Sequence, residues 1–176
     1  MNTIIETKVL TSNGVEHLTP NRREIAPDVT ASADGLPSTF PAETALIQGS
    51  ASGLQYTTGG GNFLVQLGWD GGFQTTGYSS VCVLTNATGV FAETMTTGMH
   101  VHMNVATRVL TASLLIIKVD ETTNTYVFRI NCFYEDGEWA GVSAGSVALA
   151  QPASRVRLLG SGGSTYNHTS LSLTYQ

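Results

Sequence analysis

The chain has 176 residues, room for one domain, or one domain with an arm. Only 12% of residues are charged, against roughly 25% in a typical soluble domain, while Ser and Thr supply 39 residues and Gly 19, so polarity comes from hydroxyls and backbone. A 41% hydrophobic share with a net charge of −5 excludes a disordered chain; two Lys and six Arg give no footprint for direct nucleic-acid contact, and no apolar run nears the ~18 residues of a membrane span.

The chain opens on Met1-Asn2-Thr3-Ile4-Ile5-Glu6, without the basic and apolar regions of a signal peptide. Without that signal, the Asn-x-Thr triplets at Asn86 and Asn167 read as chance matches. Residues 1–43 hold four of the five prolines, nine of the 21 formal charges and a single aromatic residue, Phe40. Proline removes a backbone donor and extends its predecessor, so such a segment builds no core of its own. It reads as an extended arm that orders on a neighbouring subunit, with Ile4, Ile5, Val9 and Leu10 as candidate anchors.

From Thr44 onward the apolar pattern has period two. Strands are expected at 45–48, 54–57, 62–69, 81–85, 90–94 and 99–108. Two long runs follow, 109–119 and 126–134, separated by the polar turn Asp120-Glu121-Thr122-Thr123-Asn124, and together they predict a hairpin. In the second run Tyr126, Phe128, Ile130, Cys132 and Tyr134 share one face, and Val127, Arg129, Asn131 and Phe133 the other. Residues 146–151 suit one turn of helix before Pro152, 155–159 another strand, and Leu171, Leu173 and Tyr175 a half-buried last strand. Short strands with Gly, Asn, Asp or Ser between them indicate an all-β, antiparallel sandwich or jelly roll over 44–176. Between Glu43 and Arg108 the only formal charges are Asp70 and Glu93. Monomers use charge, lysine above all, to protect strand edges, so this stretch points to a homo-oligomer or larger assembly.

Motifs for chemistry are thin. Gly141-Val142-Ser143-Ala144-Gly145 matches the nucleophile elbow G-x-S-x-G, but that motif needs a strand before it, a helix after it and a later acid and His. His168 follows; no Asp or Glu occurs after Glu138, so the match is read as small residues in a loop. His100 and His102 share a strand face, as two metal-binding imidazoles do in cupins, but Ala106 and Thr107 stand where the cupin Glu would be and Thr94 replaces its Gly. They are expected to face solvent or a partner while Met99, Val101, Met103 and Val105 pack inward. Cys82 and Cys132 sit in apolar strands and read as small buried hydrophobes. Glu135-Asp136-Gly137-Glu138 reads as a solvated turn rather than a glycosidase carboxylate pair. No catalytic residue, metal ligand or cofactor is assigned. Trp69, Tyr78 and Trp139 are the candidate glycan or partner contacts, since loop ring faces can stack on sugars beside carboxylates and amides, although the commoner role of such a Trp is to plug one end of a sandwich or a subunit contact.

A Pro-rich arm, a charge-poor Thr/Ser/Gly β body and a terminal strand Thr169-Ser170-Leu171-Ser172-Leu173-Thr174-Tyr175-Gln176 together resemble small structural proteins of tailed-bacteriophage virions: capsid decoration (cement) proteins and fibre modules. The resemblance lies in architecture and composition, with no specific motif. It implies a non-enzymatic virion protein that forms homo-oligomers, commonly trimers, and binds the major capsid or another virion protein through its arm. The alternative it implies is a tail-fibre tip that binds host glycans. Neither carries a membrane or nucleic-acid partner.

Overall fold

A computed structural model describes residues 4–5, 11–12, 15–16, 21–25, 38–58, 61–101, 108–161, 165–167 and 170–176. All regular structure in these residues is β, and every strand pairing is antiparallel. The arm contributes β1 (Ile4–Ile5), β2 (Thr11–Ser12), β3 (Val15–Glu16) and β4 (Asn21–Ile25), and β5 (Ser38–Thr39) follows. The body runs β6 (Leu46–Thr58), β7 (Phe63–Trp69), β8 (Gly72–Phe73), β9 (Ser79–Asn86), β10 (Gly89–Met95) and β11 (Met99–Val101). It continues with β12 (Leu110–Asp120), β13 (Thr125–Tyr134), β14 (Trp139–Ala148), β15 (Arg155–Gly160), β16 (Thr165–Asn167) and β17 (Ser170–Tyr175).

The sandwich is lopsided. The larger sheet runs β1-β4-β17-β6-β12-β13-β14-β9-β10, with β16 also on β6; the smaller runs β11-β7-β15-β5, with β8 on β7. The expected 109–119/126–134 hairpin is β12 and β13, paired from Leu110↔Tyr134 to Asp120↔Thr125. Its turn forms because the Asp120 carboxylate accepts from the Thr122 and Thr123 backbone N–H groups at 2.8 and 3.1 Å and from the Thr122 hydroxyl at 2.7 Å. Asn124 completes the reversal with φ of 47°, a backbone state Asn tolerates better than most residues. Asn86 does the same work at the next hairpin: its Oδ1 accepts from Thr88 N and Gly89 N, both at 2.9 Å, so this Asn-x-Thr triplet is turn chemistry.

One parity of each strand fills the space between the sheets. Ile47, Ile116, Tyr126, Phe128, Ile130, Cys132, Cys82 and Leu84 from the larger sheet meet Phe63, Val65, Leu67, Met99, Val101 and Val156 from the smaller. Truncating one such side chain, for example Ile116→Ala, costs about 2–5 kcal/mol. Three of the buried tyrosines are tolerated because their hydroxyls are bonded: Tyr126 accepts from Ala153 N at 2.9 Å, Tyr78 accepts from Leu67 N at 2.9 Å, and Tyr166 donates to Leu158 O at 2.8 Å.

Three expectations change. The stretch 141–145 is the middle of strand β14, not a loop, and 146–148 continue it rather than start a helix. The cause is packing. Gly141, Ser143 and Gly145 face inward where little room exists; a Cβ at Gly145 would lie 1.8 Å from Ser79 O and 2.7 Å from Phe128 Cζ. The third change concerns the arm boundary. β5 pairs with β15, and Phe40 is 7% exposed in the core with its N–H on Ser154 O at 2.9 Å, so Ser38–Phe40 pack with the body. Upstream, β4 pairs with β17 and β1 with β4 in the same chain. Val9 and Leu10 lie outside the described residues.

Candidate functional site

The two tryptophans sit at opposite ends of the sandwich. Trp139 pairs with Asn86 at the far end of β9, whereas Tyr78, next to the near end of β9, bonds Leu67, two residues before Trp69. Eight residues of β9 put these ends about 25 Å apart, so no single small ligand spans both rings. Each indole is half-buried against the core. Trp139 packs on Phe91 of β10 at 5.4 Å between ring centroids. Trp69 folds across Gly71, where a Cβ would come within 2.5 Å of its Nε1. Beside it Thr39, Asp70, Gln151 and Arg155 border a depression of about 380 Å³, with Arg155 Nη2 donating to Asp70 Oδ1 at 3.1 Å. Tyr78 is different: at 2% exposure it is a core residue and offers no surface contact.

The remaining chemical candidates are structural where they are described. Ser143 is fully buried and its hydroxyl donates to Val81 O at 3.2 Å, so it has neither the exposure nor the strand-to-helix turn of an elbow nucleophile. Cys82 and Cys132 are free thiols on β9 and β13, with β14 between them and two residues of offset along the strands, so their backbones lie about 12 Å apart, beyond disulfide reach. Burial pushes the Cys132 thiol up to about 12, with a smaller contribution from Cys82. Asp136 and Glu138 in the β13–β14 turn are ion-paired with Arg108. Met99 and Val101 enter the core as expected. His100 does not face solvent: it is fully buried, its Nε2 3.4 Å from Glu93 Oε2 of β10, and Ser80 Oγ accepts from its backbone N–H at 2.9 Å. His102, His17 and His168 lie outside the described residues, and among the described residues no group of three His, Cys, Asp or Glu is placed to hold a metal ion.

The feature that stands out is the outer face of the larger sheet. Strand registers align its outward residues in rows that cross from β10 to β6. One row is Val90, Thr85, Ala140, Phe133 and Thr111; the next is Ala92, Val83, Val142, Asn131, Ser113 and Ser50. A third is Thr94, Val81, Ala144, Arg129, Leu115 and Gln48; a fourth is Ser79, Ser146, Val127, Ile117 and Leu46. Among these outward residues Arg129 is the one ionised side chain. Phe133 is 51% exposed, Val81 44%, Val142 42% and Ile117 39%. The Phe133 and Val142 rows border a groove of about 540 Å³. Arg129 Nε donates to Asn131 Oδ1 at 3.3 Å, and Asn131 Nδ2 to Ser113 Oγ at 3.5 Å. The outer face of the smaller sheet is built otherwise: Arg157 covers it, donating to Gln66 Oε1 at 2.9 and 2.6 Å and lying 4.3 Å over the Phe73 ring.

None of these outer-face residues was a sequence candidate. The signal was present as strands apolar on both parities, such as Val81-Cys82-Val83-Leu84 and Tyr126-Val127-Phe128. Periodicity alone does not say which parity a second sheet covers.

Comparisons of the chain with protein-family models, with curated proteins and with solved structures gave no match. The fold defines the class: an all-β antiparallel sandwich.

Proposed function

We propose that this chain is a non-enzymatic virion structural protein, a capsid decoration (cement) protein that self-associates and grips neighbouring virion subunits through its N-terminal arm. The observation that carries the assembly part is the outer sheet face, where Arg129 is the one ionised side chain in the four outward rows from β10 to β6 and Glu135 meets Thr111 at their edge. Exposed apolar surface on that scale is a liability for a free monomer and an asset for a subunit. The virion setting rests on the resemblance in composition and architecture. A cement protein binds the assembled shell and not its free parts, so it stabilises the shell by mass action. A trimer, as in the proteins it resembles, is the expected arm-linked unit.

The test is removal of residues 1–37, a boundary that spares β5 and Phe40. The shortened chain should keep its fold by circular dichroism and lose attachment to purified shells. Full shell binding by the shortened chain would sink the arm role.

The depression beside Trp69 favours a second reading, a glycan-binding fibre tip, because an aromatic ring there adjoins Asp70, Arg155 and Gln151. Trp69→Ala should then abolish binding on a glycan array. An array silent for the wild-type protein rejects this reading.

A further inference from the structure

We propose that the outer face of the larger sheet is a two-fold interface with a second copy of this chain. The inference rests on the assembly reading only in requiring self-association, and it names the surface and its symmetry.

Area comes first. Six strands from β10 to β6, at about 4.8 Å each, by eight residues at about 3.4 Å, cover about 780 Å². A stable interface needs about 800 Å² per partner. The face thus has the extent of a complete interface, not of a fragment.

Relief comes second. The Phe133 and Val142 rows border the groove, whose lining includes Val83, Val142, Ser113 and Ser50. Beside it the Arg129 and Val127 rows carry Leu115, Ile117, Val127 and Arg129. A two-fold axis in the plane of contact, normal to the strands and level with Ile130, lays these side chains over the groove of the other copy. Such an axis makes one patch serve as both halves of the contact.

Charge comes third. The four rows carry a single cation, with the Glu135 carboxylate at their edge accepting from the Thr111 hydroxyl at 3.1 Å, and the axis decides where that cation goes. Arg129 of one copy falls opposite Asn131 of the other, whose amide oxygen already accepts from an Arg129 side chain. The two Arg129 Cα atoms stand about 12 Å apart, from one row along the strand and the roughly 10 Å sheet separation. Each guanidinium therefore meets an acceptor rather than its own kind.

Sedimentation of the full chain at micromolar concentration tests the interface. The wild-type protein should have the mass of two chains, or of six where an arm-linked trimer also forms. Val142→Arg places a charge in the groove lining while pointing to solvent in the single chain, and should halve the mass. Ser113→Arg should do the same, which guards against a folding defect in the first variant. Thr75→Arg, on an exposed loop away from this face, should leave the mass unchanged. A wild-type mass of one chain overturns the interface, as does an even mass that survives both arginine substitutions. A mass of three chains in every variant removes this interface but leaves the assembly reading standing. A dimer disrupted by both substitutions that binds no shell retains the interface and removes the cement role.

Discussion

Replacing Tyr78 by Phe tests whether this ring is a core element or a surface contact. On one edge of β7, pairing with β11 ends at Val65↔Met99. The next inward amide on that edge is Leu67, and its N–H donates to the Tyr78 hydroxyl at 2.9 Å. Tyr78 is 2% exposed and Leu67 is fully buried, so water cannot take over the lost acceptor. The variant keeps the ring and its packing and deletes one oxygen. A buried donor left without its acceptor costs about 1–3 kcal/mol. For a chain of this size each kcal/mol lowers Tm by roughly 2–4 °C, so a drop of about 4–8 °C follows from a mid-range cost. Thermal unfolding by circular dichroism reads it, and amide exchange at Leu67 should accelerate selectively. A Tm within 1 °C of wild type would refute the reasoning, because the hydroxyl would then be dispensable.

Other consequences concern β14, the thiols and the first acidic turn. Gly145→Ala should lower stability by about 1–3 kcal/mol in urea melts, since its Cβ has no space between Ser79 O and Phe128; a neutral result would mean that β9 and β14 separate freely. Cys82 and Cys132 should resist a thiol reagent in the folded protein and react fully in denaturant, as burial and the raised Cys132 pKa require; fast native labelling would contradict their placement. Hydrogen bonds from Thr122 and Thr123 hold the Asp120 carboxylate down to about 2. Its folded pKa is thus below the unfolded value, so its contribution is complete above about pH 4 and is lost as pH falls toward 2. Asp120→Asn should therefore narrow the difference in stability between neutral and acid pH, and a carboxyl NMR titration near 4 would remove the basis for it.

Much of the fold was legible in the residues. Period-two runs, Gly and Asn turns and the Asp120–Asn124 reversal place β12 and β13 as one hairpin, because alternation and turn chemistry act locally. Leu173 and Tyr175 likewise mark β17, and both pack partly buried against the core. β14 was hidden, since Gly141, Ser143 and Gly145 carry no apolar signal; their smallness answers to Ser79, Leu84 and Phe128 on other strands. The functional candidates fared unevenly for the same reason. Trp69 and Trp139 are alike in sequence context, each near Gly and an acid, yet they lie at opposite ends, and Tyr78 is interior. Composition determined that this chain is β-rich and poor in charge. Only the tertiary structure decided where that poverty lies. The smaller sheet covers one face of β9, β12, β13 and β14 and leaves the other uncovered among the described residues, and which face that is depends on long-range pairing that no local pattern encodes.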